Sequence, residues 1–168
     1  MIEAALLVVF PCLVAFAGAS DLFTMTIPNR VSLMMIAGFA MLAPAIGMAP
    51  IEIGFHLIAA GIALSFGLAF FAFGWMGGGD AKLMTVVALW LGLTPALGEF
   101  LLLTSVYGAV LTLAILGFRK DVLLPIAAYR VEWIARLHDN KTGIPYGITI
   151  AIAALQAYPG SIWFRAIM

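Results

Sequence analysis

Apolar residues run along this chain in six long stretches broken by short polar intervals: residues 2–20, 31–49, 54–75, 81–96, 99–118 and 143–161. Each approaches the roughly 20 mainly apolar residues that a helix needs to cross a bilayer. None alternates polar and apolar positions as a barrel strand does, and an open strand in lipid would leave its backbone groups without partners. The pattern predicts an all-α, polytopic membrane protein with six transmembrane helices, in a single domain over residues 1–168. The fourth stretch is short and the fifth follows it closely, so Thr94-Pro95 through Glu99 is predicted as a tight hairpin. Ala17-Gly18-Ala19 before Ser20 resembles a signal-peptidase site. The preceding Met1-Ile2-Glu3 carries no positive charge, however, so the first stretch is expected to be retained as a helix.

Composition agrees with the pattern. The chain is 65% hydrophobic and only 10% charged, whereas soluble domains are about a quarter charged. A net charge of zero offers no basic footprint for nucleic acid. Cys12 is the single cysteine, which excludes an internal disulfide and a cysteine-based zinc site; it reads as a small apolar filler within a helix. No metal or cofactor is expected, and the sequence sets no oligomeric state.

Charge then orients the helices. Six alternating spans put Arg30, Lys82, Arg119, Lys120, Arg130, Arg136 and Lys141 on one side and Arg165 alone on the other. The positive-inside rule assigns the first side to the cytoplasm and both termini to the outside. Within the longest loop, Ile126, Tyr129, Val131, Trp133, Ile134 and Leu137 interleave with Arg130, Glu132 and Arg136 at roughly helical spacing. This predicts an amphipathic segment over about residues 121–140 lying in the headgroup plane, with Pro125 in its first turn. His138 and Asp139 at its end read as solvated loop residues, and His56 as a packing residue near the outer end of the third stretch.

Two acids stand out against this apolar background. Asp21 and Asp80 both lie where apolar stretches meet cytoplasmic loops, in the settings Ser20-Asp21 and Gly77-Gly78-Gly79-Asp80. An ionisable group at membrane depth costs roughly 2.5–3.5 kcal/mol and marks a functional candidate. The glycines either admit an extended peptide beside the carboxylate, break the helix, or form a close-packing face. Two neighbouring carboxylates titrate as a unit, so one can activate water while the other protonates a peptide carbonyl. On residue chemistry alone, aspartyl hydrolysis and the proton relay of a small proton-coupled membrane transporter both remain open. A non-catalytic assembly factor is a third reading.

The residues around the aspartates also carry a resemblance. Asp21 followed by Ile27-Pro28-Asn29, Gly77-Gly78-Gly79-Asp80-Ala81-Lys82, and Ile144-Pro145-Tyr146-Gly147 before the last span resemble, in order, three motifs of the prepilin peptidases, the type IV leader peptidases. The resemblance implies a membrane aspartyl endopeptidase of the bacterial inner membrane, with Asp21 and Asp80 catalytic at the cytoplasmic face. Its substrate would be a prepilin or pseudopilin, cut at the edge of an apolar helix that lies in the bilayer. Larger members of that family also methylate the new N-terminus and carry paired Cys-x-x-Cys elements. Here Cys12 is alone, so the chain resembles the short members that process Flp-type (tight-adherence) pilins, and no N-methyltransferase activity is expected. After Asp21, where relatives often have arginines, Phe23, Thr24 and Met25 stand instead. Gly77, Gly79, Lys82, Pro28, Asn29, Pro145, Tyr146 and Gly147 are supporting motif positions. Lys82 would either offset the charge of Asp80 or snorkel to the interface. Asn29 is expected to cap the second helix. Tyr146 could hydrogen-bond near the site, though an aromatic belt is the preferred reading.

Overall fold

A computed structural model of the chain describes residues 2–121 and 130–166. The described residues are helical, without a strand. The helices are α1 (Ile2–Thr24), α2 (Asn29–Ala45), α3 (Pro50–Ala72), α4 (Gly78–Leu91), α5 (Pro95–Asp121), α6 (Glu132–His138), α7 (Tyr146–Ala157) and α8 (Ile162–Arg165), with a 3₁₀ turn at Tyr158–Gly160 before α8. Three of them, over Ile2–Thr24, Pro50–Ala72 and Pro95–Lys120, are long and apolar enough to cross a membrane. α2, α4 and α7 are shorter than the expected spans.

Local sequence sets the boundaries. Pro50 occupies the first turn of α3, and the Glu52 carboxylate accepts the Ala49 backbone N–H at 3.0 Å, a capping arrangement that satisfies one of the orphan donors of a helix start. Gly92, at φ 65°, closes α4 in the left-handed conformation that glycine adopts freely. Pro95 then opens α5. The turn between the two helices is therefore Gly92–Thr94, and Glu99 lies inside α5 rather than in the expected hairpin. Proline suits the first helical position because that N–H needs no partner.

Packing follows from which helices are apolar on all sides. α4 lies at the centre, against α2, α3 and α7, while α1 packs on α2 and α7, and α5 on α7. Asp80, Ala81 and Leu83, then Val86 through Leu91, are all buried, as a helix surrounded by others requires. α3 and α5 stand outside it and keep Leu57, Phe66, Phe71, Leu102 and Leu113 exposed, the surface that a bilayer would cover.

One end of the bundle is tied by aromatic and polar contacts. Trp90 and Trp163 are fully buried, with ring centroids 4.7 Å apart. The Trp90 indole N–H donates to the Met35 carbonyl at 3.0 Å, and Tyr158 donates to Leu6 at 2.7 Å. His56 is buried among Phe39 and Trp163, and its Nδ1–H donates to the Leu89 carbonyl at 2.7 Å. It is the packing residue expected. Buried polar groups that find partners rigidify an apolar interior instead of weakening it.

The expected amphipathic segment is described only in part. Pro125, Ile126 and Tyr129 lie outside the described residues. α6 sits at the end opposite Trp90 and Trp163, with Trp133 edge-on to Phe23 of α1 at 5.7 Å. His138, expected in solvent, instead covers Phe118 of α5 at 5.2 Å and is half-buried. Asp139 is exposed, and its carboxylate accepts the Lys141 backbone N–H. Cys12 lies on the exposed side of α1 rather than filling the core.

Trp90→Ala should cost about 3–5 kcal/mol, since it deletes a fully buried indole together with its hydrogen bond to the Met35 carbonyl. Gly61→Ala, on an open face of α3, should be neutral or stabilise by up to about 1 kcal/mol. Thermal unfolding in detergent micelles, followed by circular dichroism, checks both.

Candidate active site

The end opposite the tryptophans collects the C-terminal ends of α1, α3 and α5 with the N-terminal ends of α2, α4 and α7. Asp21 reaches it from the last turn of α1, with 7% of its surface exposed. Its Oδ2 accepts the backbone N–H of Gly147 at 2.7 Å. Gly147 is the second residue of α7, where backbone donors have no intrahelical partner and the helix dipole favours a negative charge.

Only glycine permits that contact. A Cβ on Gly147 would lie 2.8 Å from both the Cβ and the Oδ2 of Asp21, and a Cβ on Gly18, one turn earlier in α1, would lie 2.6 Å from the Cβ of Ala151. Two bare backbones thus let α1 and α7 close up around the carboxylate. The Pro145-Tyr146-Gly147 step now has a physical meaning. Pro145 precedes the helix, Tyr146 begins it, and Gly147 supplies both the donor and the room.

Asp80 comes from the first turn of α4 and is 8% exposed. Its Oδ1 is buried and has no hydrogen-bond partner, an uncommon state for a native polar atom and one that calls for a reason. The glycine run before it serves close approach at every position. A Cβ on Gly77 would lie 3.0 Å from Asp80 Oδ2, one on Gly78 would lie 3.4 Å from the Phe71 ring, and one on Gly79 would lie 3.3 Å from the Cβ of Ile27. Gly67 of α3 likewise lies under Ala81, where a Cβ would come within 3.0 Å of the alanine Cβ. The run is a packing surface and the start of a helix at once, two uses that the sequence had presented as alternatives.

Asp21 and Asp80, 59 positions apart in sequence, line one cavity of about 270 Å³ and lie within electrostatic range of each other. Gly77, Gly78 and Gly79 form part of its wall, with Met25, Thr26 and Ile27 among the residues facing them. Met25 holds φ at 55°, the one positive-φ residue other than glycine among those described. Strain of this kind, about 1–3 kcal/mol, persists where surrounding structure holds it, and it gathers at functional sites. Here Ser20 donates to the Thr26 carbonyl at 2.8 Å and Thr24 donates to the Ser20 carbonyl at 2.7 Å. These bonds fix the turn that follows Asp21.

The supporting positions divide. Lys82 lines the same cavity as Asp80, and its ammonium donates to Asn29 Oδ1 at 2.9 Å, a contact the sequence did not suggest. Asn29 does not cap α2. Pro28 holds the cap position, no side-chain cap bond forms, and the Asn29 amide is engaged by Lys82. Tyr146 is held inside the bundle, 2.7 Å from the Thr112 hydroxyl and against Gly108, rather than standing in an aromatic belt. No group of three or more His, Cys, Asp or Glu side chains placed to hold a metal ion occurs among the described residues.

Several residues that shape the site gave no clear sequence signal. Gly18 and Gly67 read as ordinary small residues of apolar helices, and their partners Ala151 and Ala81 lie on other helices. The small-residue spacing that brings membrane helices together was the available clue.

A family profile decides the kinship. Residues 8–113 match the type IV leader peptidase family. The chain belongs to that family. The matched region contains Asp21, Asp80, the Ile27-Pro28-Asn29 step and the glycine run, and it ends before Pro145-Tyr146-Gly147. No curated protein and no solved structure matches the chain.

Gly147→Ala should separate α1 from α7, lower the thermal midpoint and abolish protease activity, because the added Cβ falls on Asp21. Gly143→Ala, four residues away with open space around it, should change neither.

Proposed function

We propose that this chain is a membrane aspartyl endopeptidase that removes the leader peptide from Flp-type prepilins or pseudopilins, with Asp21 and Asp80 as its catalytic pair. The observation that carries this reading is the cavity the two carboxylates share, walled on one side by three consecutive glycines. Three glycines put bare backbone on that wall, which suits an extended peptide laid beside the carboxylates. The unpartnered Asp80 Oδ1 is the acceptor that a water or a substrate group would fill.

The chemistry balances on these two groups. One carboxylate takes a proton from a water held between them as the water oxygen bonds to the scissile carbonyl carbon. The other, carrying a proton, gives it to the carbonyl oxygen. Collapse of the tetrahedral intermediate breaks the C–N bond; the proton taken from water leaves on the new amine, and a hydroxyl of the intermediate returns its proton to the carboxylate that had protonated the carbonyl oxygen. Resting and final states of the pair each hold one proton. No cofactor or metal enters.

We further propose six membrane-spanning helices in one domain over residues 1–168, with both termini outside and the aspartates at the cytoplasmic face of a bacterial inner membrane. The cationic side chains support this orientation. Lys82, Arg119 and Arg136 hydrogen-bond at the end that holds the aspartates, and Arg165 lines a cavity with Glu52 at the other. A single cysteine, hence no Cys-x-x-Cys pair, supports cleavage without methylation of the new N-terminus.

Co-expression with a Flp-type prepilin tests the assignment. The wild-type chain should release the leader and leave the new N-terminus unmethylated by mass spectrometry. Asp21→Asn and Asp80→Asn, nearly isosteric with the native residues, should each lower the rate by roughly a thousandfold or more, as loss of an acid–base group does. Normal processing by both variants would remove the aspartates from the mechanism. Because one proton is shared, kcat/KM should also fall at both acid and alkaline pH.

A further inference from the structure

The cavity of the two aspartates adjoins a second hollow that shares two of its lining residues. α2 and α3 each pack on α4, and between them lies a groove of about 450 Å³, within the roughly 300–1,000 Å³ of ligand-binding clefts. Asn29 and Lys82 belong to both spaces, so the hydrogen bond between them marks the seam. Beyond it the lining turns apolar. Leu33 and Ile36 come from α2, Leu64 from α3 and Val86 from α4. The first two are 64% and 46% exposed.

Near the seam the groove also offers polar groups without partners. Ser32, one turn after Asn29, lines it with a hydroxyl that is buried and makes no hydrogen bond. Lys82 has three N–H donors, of which one is directed at Asn29. A chain crossing from an extended segment into a helix presents what these groups match. The extended part carries carbonyls in need of donors, and the first turn of the helix carries N–H groups in need of acceptors.

We propose that the α2–α3 groove receives the first turns of the substrate's apolar helix, just past the scissile bond, and that Asn29, Ser32 and Lys82 bind the backbone where that helix unwinds toward Asp21 and Asp80. The inference rests on the leader peptidase reading and adds to it the path of the substrate. Continuity singles out this groove. The hollow between α3 and α5, lined by Phe66, Leu97, Leu101 and Ser105, shares no residue with the catalytic cavity, and neither does the one between α1 and α2 that Cys12 lines. An occupant also has to be apolar on the side facing lipid, which the membrane helix of a prepilin is.

Photocrosslinking tests this in detergent or in vesicles. A Flp-type prepilin with a photoreactive side chain in the first two turns of its apolar helix is mixed with the Asp80→Asn variant, which holds it uncut, and adducts are mapped by mass spectrometry. Adducts at Leu33, Ile36 and Leu64 are expected. Ile36→Ala in the otherwise wild-type chain should raise KM roughly tenfold, the scale of lost side-chain burial in an apolar pocket. Adducts confined to Leu101 and Ser105 or to the Cys12 face, or none at all while the wild-type chain cleaves the same prepilin, would overturn the groove and leave the peptidase reading intact. Failure of the wild-type chain to cleave that prepilin would overturn both.

Discussion

A carboxylate cannot be buried in an apolar bundle without something to meet its charge, and Asp21 accepts the N–H of Gly147, which has no partner within its own helix, at the start of α7. That bond can form only if two helices approach more closely than side chains allow. Gly18 and Gly147 remove the obstruction on both sides of the contact. The consequence extends beyond one hydrogen bond. It fixes the end of α1 against α7, and α7 in turn supports α5 and touches α4. The second carboxylate arrives on α4 through the same device, with Gly67 beneath Ala81 and Gly79 against Ile27. The site is thus assembled from places where side chains are missing.

The two ends of the molecule divide the work. At one end Trp90, Trp163, Phe39, Phe10 and His56 interlock, and their polar atoms are satisfied by backbone carbonyls. This gives α4 a rigid hold far from the chemistry. At the other end the chain is glycine-rich and locally strained at Met25, and it leaves Asp80 Oδ1 without a partner. Rigid support at one end and an open cavity around the two carboxylates at the other is the arrangement that the proposed peptidase needs.

Contacts from the loop side reinforce the same end. Arg119 donates to the carbonyls of Leu137, Thr142 and Gly143, and Arg136 donates to the Phe23 carbonyl two residues past Asp21. Arginines placed near the ends of α1 and α5 suit the partial negative charge of helix C-termini. Two of the residues that the positive-inside rule reads as cytoplasmic thus hold residues 136–143 beside the aspartate end. The amphipathic segment read from sequence as a surface anchor packs, in its described part, beside α1 and α5.

Much of the molecule was legible from the order of residues. Apolar length and the scarcity of charge set helices and a membrane, because backbone polar groups in lipid must pair within their own segment. Asp21 and Asp80 stood out because a charge in such a chain is expensive, and the short motifs around them pointed to the family before any geometry. What the sequence could not decide depends on contacts between distant segments. Asn29 looked like a cap and became the acceptor for Lys82. Tyr146 looked like a belt residue and became a partner of Thr112. Gly147 was a motif letter with no stated task, and it became the donor to Asp21. Periodicity and local propensity describe a residue's neighbours within a few positions. Whether a glycine is a breaker or a contact, and whether two carboxylates face one cavity, is set by which helix lies across from them. That depends on the packing of the whole bundle, and only the tertiary structure decided it.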